Sequence, residues 1–86
     1  PRCMRLWLVE RSYDTRNTVS LTYASTDGSA VYRRQASLDL LARSPATAAV
    51  DRDEADVEPV EDAQRRDRYA TEASRMADDH DPDDEI

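Results

Sequence analysis

The sequence predicts an α+β fold: a three- to four-stranded antiparallel β-meander with a short helix and a C-terminal acidic amphipathic helix. Apolar and hydroxyl side chains alternate over residues 18–25, as a half-buried antiparallel strand requires. The Asp27-Gly28 pair that follows favours a tight hairpin turn, in which we expect both residues to adopt positive φ. Beyond residue 62 the apolar side chains recur at helical spacing, which indicates a change from strands to helix.

Three strands are expected from the β-branched and aromatic residues of the first half of the chain. They cover residues 6–13, 18–25 and 30–35. Turns of four and two residues would pair Tyr13 with Thr18 and Thr26 with Ser29, and this register assigns each side chain to a sheet face. Face one, which is apolar, would carry Leu6, Leu8, Val19, Leu21, Tyr23 and Tyr32, with Glu10, Ser12 and Arg34 towards its margins. Face two would carry Trp7, Val9, Arg11, Tyr13, Thr18, Ser20, Thr22, Val31 and Arg33.

The rest of the chain is divided by breaks in these patterns. Ser37 suits the N-cap of a short helix that Ser44-Pro45 ends, and residues 47–50 suit an additional short strand. Tyr69, Ala73 and Met76 form the apolar stripe of the C-terminal helix. The predicted organisation is a meander domain at 1–50 with a short helix at 37–43, an acidic linker at 51–61, a helix at 62–80 packing on or beside the sheet, and an acidic tail at 81–86.

Charge is distributed unevenly along the 86 residues. All twelve basic residues are Arg, and the net charge is -7. Residues 1–48 carry seven Arg and four acids, a formal +3, whereas residues 49–86 carry five Arg and fifteen acids, a formal -10. An acidic chain without Lys is typical of salt-adapted proteins, whose carboxylates maintain hydration; an ordinary acidic protein is the alternative. The mildly basic half is then the unexpected part.

No motif for catalysis, metal binding or cofactor binding is present. A single Gly excludes a phosphate-cradling loop, and Cys3 has only His80 available as a base. His80 lies among Asp residues, but the stretch lacks the Gly turn and distal Glu of a calcium loop. We therefore expect a protein that is not an enzyme and that holds no cofactor or metal.

The sequence also favours a cytoplasmic location. A single Cys cannot form an internal disulfide, and no apolar run approaches the roughly 20 residues of a membrane-spanning helix. A chain that begins with Pro is what removal of an initiator Met leaves, so we expect a chain close to full length.

One group of residues indicates binding: the Arg and aromatic residues of the basic half. Aromatic rings stack on bases and guanidinium groups bind phosphates, so this combination is typical of RNA-binding surfaces. The predicted nucleic-acid-binding residues are Arg5, Trp7, Arg11, Tyr13, Arg16, Arg33 and Arg34. In the alternative, Trp7, Val9 and Val31 pack under the C-terminal helix as a second core layer. Arg11 and Arg33 would then pair with the acids of that helix.

The segments RLWLVERSYD, TYASTDG, TAAVD and RYATEASRMADDHDPDD resemble a family of short proteins from halophilic archaea to which no activity is attached. The resemblance spans nearly the whole chain. It implies a salt-adapted source and a cytoplasmic location, and it implies no catalytic or binding residue.

These observations predict a small binding module of a salt-adapted cytoplasm. We expect it to associate through its Arg- and aromatic-bearing N-terminal half with nucleic acid or a ribonucleoprotein such as the ribosome. The alternative is a protein-protein interaction module or a homodimer, built by pairing exposed sheet edges or by burying face two.

Overall fold

A computed structural model describes residues 3–13 and 16–86. The described residues form a curled antiparallel sheet of five strands and a C-terminal helix, which confirms the α+β class and exceeds the three or four strands expected. The strands are β1 (Cys3–Tyr13), β2 (Thr18–Ala24), β3 (Ala30–Ser37), β4 (Ala49–Asp53) and β5 (Glu58–Pro59). The helices are α1 (Leu38–Arg43) and α2 (Ala63–Asp79), with one 3-10 turn at Glu54–Asp56.

The strand order is β4-β1-β2-β3-β5, so the predicted meander forms the centre of the sheet. Strands β2 and β3 pair in the predicted register, with Thr22 opposite Arg33 and Tyr23 opposite Tyr32. Tyr23, on face one, has no solvent-exposed surface. The strict alternation of this strand therefore places its apolar side chains in the core, as the sequence predicts.

The turn between β2 and β3 differs from the predicted type. Only Gly28 has a positive φ, of 74°, and its N–H donates to the carbonyl of Ser25 at 2.9 Å. Asp27 does not adopt positive φ, because its Oδ1 instead accepts hydrogen bonds from Ser25 Oγ at 2.6 Å and from the N–H and Oγ of Ser29 at 3.0 and 2.7 Å. The expectation of two positive-φ residues is wrong, and the side chain of Asp27 organises a four-residue turn.

A β-bulge changes the faces of β1. The pairing of β1 with β2 shifts by one residue between Leu8 and Glu10, and Arg11 consequently lies opposite Leu21. Directly opposite residues share a sheet face, so Arg11 and Tyr13 lie on face one, and Glu10 moves to face two. The predicted assignment of Arg11 and Tyr13 to face two is wrong because no Gly or Pro in β1 marks the bulge.

The predicted linker is part of the sheet. Strand β4 pairs with β1, with Val50 opposite Leu6 and Asp51 opposite Arg5, and β5 pairs with β3. Residues 51–61 therefore contain the end of β4, the 3-10 turn and β5, and the linker assignment is wrong. The segment has few apolar side chains because backbone hydrogen bonds to the edges of β1 and β3 hold it in place.

Helix α2 covers face two. It begins after Asp62, whose carboxylate accepts from the N–H of Gln64 at 3.2 Å, as an N-cap does. Tyr69 and Ala73 are buried, and Met76 is half-buried, so the predicted apolar stripe faces the sheet. The residues of face two and its edge that pack with this stripe are Trp7, Val9, Ala24, Val31, Ala48, Ala49 and Val60.

The predicted acidic tail lies along the segment that leads into β4. The N–H groups of Ala48 and Ala49 donate to the carbonyls of Asp84 and Pro82 at 2.8 and 3.1 Å, and the N–H of Ile86 donates to Ala46 at 2.8 Å. The tail is therefore held by backbone hydrogen bonds rather than extending freely into solvent.

Candidate nucleic-acid interface

Trp7 offers no ring face to a nucleic acid. It is 7% exposed and packs with Ala49 of β4 and Ala73 of α2. A base could stack on this indole only if helix α2 left the sheet. The predicted stacking role of Trp7 is therefore wrong, and the alternative, a second core layer under the helix, describes its position. The cause is the apolar stripe of α2, which needs an apolar surface to cover.

Arg5 and Arg33 have carboxylate partners. Arg5 Nε lies 3.0 Å from Oδ1 of Asp51 on the neighbouring strand, and this hydrogen bond lowers the pKa of Asp51 and raises the pKa of Arg5. Arg33 Nη1 lies 3.6 Å from Oε2 of Glu58 in β5. Both pairs are solvent-exposed and so contribute little to stability, but each places a carboxylate beside the guanidinium group. The partner of Arg33 comes from β5, whereas the alternative interpretation expected Arg11 and Arg33 to pair with acids of the C-terminal helix.

Arg11 and Arg34 are brought together on face one. Leu21 of β2 has Arg11 opposite it on β1 and Arg34 opposite it on β3, so the three residues form one row across the sheet. The bulge in β1 is what places Arg11 in this row. Sequence reasoning assigned Arg11 to the other face and missed the row.

Arg52 joins this face from β4. Its guanidinium carbon lies 4.9 Å above the ring centroid of Tyr32, a cation-π contact, and Tyr32 is next to Tyr23, with ring centroids 6.1 Å apart. Because β4 and β3 are separated by two strands, this contact shows that the sheet curls around face one. Arg52 was not predicted as a site residue, since it lay in the expected linker.

The positive charges of Arg34, Arg11 and Arg52 affect the pKa of the Tyr23 phenol. Burial raises the pKa of Tyr23, and the positive charges of Arg34, Arg11 and Arg52 oppose that rise. These three Arg side chains, which come from β3, β1 and β4, all lie on face one. We call Arg11, Arg34 and Arg52 the face-one Arg cluster.

Tyr13 extends this surface towards the β1–β2 hairpin, whose turn contains the exposed Arg16. Tyr13 is 65% exposed, and with Arg11 it lines a groove of about 220 Å³. Helix α1 closes the other side of the groove, since the N–H of Leu38 donates to Asn17 in the hairpin turn at 3.0 Å. The remaining lining residues are Leu38, Leu41, Ala42, Pro45, Ala46 and Ile86. Tyr13 is thus the aromatic residue of the predicted set whose ring remains accessible.

The members of the face-one Arg cluster have no ion-pair partner among the described residues. Within residues 3–13 and 16–86, the ion pairs are those of Arg5, Arg33 and Arg75, and no member of the cluster takes part in one. Arg11 donates to the backbone carbonyl of Ile86 at 3.3 Å, which leaves other guanidinium donors for a ligand. The arrangement can bind phosphate oxygens and stack a base on Tyr13.

The described part of the chain contains no group of three or more His, Cys, Asp or Glu side chains placed to hold a metal ion. None of its helices is sufficiently long and apolar to span a bilayer.

The fold and this surface define a class: small α+β domains in which a helix covers one face of a curled antiparallel sheet and the other face carries Arg and Tyr. Within that class, the chain belongs to a family of unknown function, DUF7967, whose family model matches residues 2–86. No curated protein and no solved structure matches the chain.

Proposed function

We propose that the protein is a non-enzymatic module that binds RNA or a ribonucleoprotein through face one. The observation that supports this proposal is the face-one Arg cluster, whose members form no ion pair with an Asp or Glu side chain among the described residues, in a chain of net charge -7. The surface differs from the predicted one, because Trp7 is buried and Arg5 and Arg33 each lie beside a carboxylate. Of the predicted residues, we keep Arg11, Tyr13 and Arg34 in this surface and add Arg52, and the exposed Arg16 lies in the neighbouring turn.

The chemistry favours unpaired bases of RNA as the ligand. A guanidinium group presents a planar set of donors that matches two phosphate oxygens, and the accessible ring of Tyr13 can stack on a base. In duplex RNA the bases are stacked on one another, so a single projecting tyrosine gains most from a loop, bulge or end.

A salt-adapted, cytoplasmic source would shape this interaction. The absence of Lys and the acidic composition favour such a source. The resemblance to a family of short proteins from halophilic archaea favours it too. At high salt the attraction between separated charges is screened within a few ångströms. Binding must then depend on direct hydrogen bonds and stacking, which is what clustered Arg side chains and Tyr13 supply.

The proposal is tested by co-sedimentation of the tagged protein with ribosomal subunits from a salt-matched lysate, with and without nuclease. We expect the wild type in RNA-containing fractions and its release after nuclease treatment. The R11Q/R34Q variant should leave these fractions, whereas R5Q/R33Q, with the same change in charge, should remain. Absence of the wild type from every RNA-containing fraction would refute the proposal.

A further inference from the structure

Short segments cover part of each outer edge of the sheet, at Ala49 of β4 and at Ala30 and Val31 of β3. On the β4 side, the tail residues 82–86 donate and accept backbone hydrogen bonds along residues 46–49. On the β3 side, β5 contributes two residues, with Pro59 opposite Ala30 and Glu58 opposite Val31. The outer edge of β3 over residues 33–37 therefore has no strand beside it in the described part of the chain.

The backbone groups that point outward from this edge follow from the hydrogen-bond pattern. The N–H of Ser25 donates to the carbonyl of Ala30 at 3.0 Å, so Ala30 points its polar groups inward, towards β2. Ser29 points outward, since its carbonyl accepts from the N–H of Val60 at 2.9 Å. Inward and outward residues alternate along an antiparallel strand. Arg33, Gln35 and Ser37 are thus outward, and all three are exposed.

From this edge we infer that two copies of the chain pair antiparallel along β3, about a two-fold axis at Gln35. The outward set is symmetric about Gln35, so the donors and acceptors of one copy meet those of the other. The axis places Gln35 opposite its own copy and Arg33 opposite Ser37. Arg34 falls opposite Ala36, so both Arg side chains face small ones across the interface, and Gln35 faces its own copy.

The same axis keeps like charges apart. Arg33 and its copy would lie four residue positions apart along the strands, roughly 14 Å at the usual rise per residue, and each already pairs with its own Glu58. The two Arg34 residues would lie diagonally, roughly 7–8 Å apart at the backbone, with long side chains that can diverge. The two face-one Arg clusters would consequently form one continuous basic surface. The pairing itself depends only on the β3 edge and not on RNA binding.

The decisive variant is Gln35→Pro. The backbone N–H of Gln35 points outward. Replacing Gln35 by Pro therefore removes a donor needed for edge pairing and leaves the β2–β3 hydrogen bonds intact. Gln35→Thr changes the side chain but keeps the N–H, and serves as the matched control. By sedimentation equilibrium from micromolar to millimolar protein, we expect the wild type and Q35T to reach twice the monomer mass, and Q35P to remain at the monomer mass.

Hydrogen exchange of the wild type tests the same pairing without a substitution. We expect the amides of Arg33 and Gln35 to become protected as protein concentration rises. A wild type of monomer mass throughout the concentration range, or a dimeric Q35P, would overturn the inference. So would free exchange of the two amides at high concentration. In the monomeric case, Arg33 and Arg34 would serve as charges that prevent edge pairing.

Discussion

Gly28, in the turn between β2 and β3, lies directly against the backbone of Arg66 in helix α2. A Cβ at position 28 would overlap the carbonyl oxygen of Arg66 and come within 2.9 Å of the backbone nitrogen of Ala70. A second contact joins the same turn to the helix, because Ser74 Oγ donates to the carbonyl of Thr26 at 3.3 Å. The turn is therefore one of the places where α2 is held on face two.

Gly28→Ala should destabilise the protein. The new Cβ meets helix backbone, which cannot rotate away as a side chain can, and the positive φ of 74° adds strain for any L-residue. We expect a loss of at least about 2 kcal/mol in the free energy of unfolding, measured by urea denaturation. Thr26→Ala in the same turn keeps the backbone carbonyl that Ser74 uses, and should change stability by less than about 0.5 kcal/mol. Equal effects of the two substitutions would show that α2 does not approach Gly28 closely.

The carboxylate of Asp27 should make stability depend on pH. Hydrogen bonds from Ser25 and Ser29 lower the pKa of Asp27 to about 2 in the folded protein. A carboxyl whose folded pKa lies below its unfolded value, about 3.9, stabilises the fold above that value and loses the contribution as pH falls towards 2. The site is solvent-exposed, so the contribution is about 1 kcal/mol at most.

Asp27→Asn removes this titration while keeping an acceptor oxygen. We expect the wild type to be the more stable protein at pH 6, and the difference in the free energy of unfolding to shrink between pH 5 and pH 2. Chemical denaturation of both proteins at each pH measures this difference. A difference that stays constant across that range would mean that Asp27 titrates normally.

The hydroxyl of Tyr23 should contribute nothing favourable to stability. Its Oη is buried without a hydrogen-bond partner among the described protein groups, and a buried polar group in that state is costly. Tyr23→Phe is therefore expected to leave the free energy of unfolding unchanged or to raise it by up to about 1 kcal/mol. Tyr32→Phe, at the half-buried neighbouring ring, is the control and should be close to neutral. A loss of more than about 1 kcal/mol in Tyr23→Phe would reveal a hydrogen bond to this hydroxyl.

The single Trp provides a probe of face two. Because Trp7 lies under α2, its fluorescence should be blue-shifted in the folded protein, resist quenching by acrylamide and shift to the red on unfolding. Addition of RNA that binds face one should leave the emission unchanged. Strong quenching or a shift of the Trp7 emission on RNA addition would instead show that Trp7 is part of the binding surface.

Local patterns predicted the β2–β3 hairpin and helix α2 closely. The alternation through Leu21 and Tyr23 fixes the faces of β2, and the spacing of Tyr69 and Ala73 fixes the inner side of α2. The register of β2 with β3 follows from the turn length, although the predicted backbone of Asp27 was wrong. These features depend on residues close together in the chain, where propensity and periodicity act directly.

Features that depend on distant segments were not predicted. The bulge in β1 carries no Gly, yet it moves Arg11 and Tyr13 to face one. The expected short strand at 47–50 overlaps the start of β4, but residues 51–53 were assigned to a linker because they are charged, and their place beside β1 depends on backbone pairing. Arg52 was therefore not predicted as a site residue. The Arg and aromatic site was expected on face two, which α2 covers.

Substitutions of Arg33 and Arg34 test most directly whether face one binds RNA. They are adjacent in β3 but lie on opposite faces, so R34Q removes a charge from face one and R33Q removes one from face two. We would titrate a labelled single-stranded RNA with each variant at matched salt and follow fluorescence anisotropy. The account predicts at least a roughly tenfold weaker Kd for R34Q, the loss of a charge-assisted hydrogen bond, and less than about a threefold change for R33Q. Equal weakening by both variants, or no binding by the wild type, would contradict an RNA-binding face one.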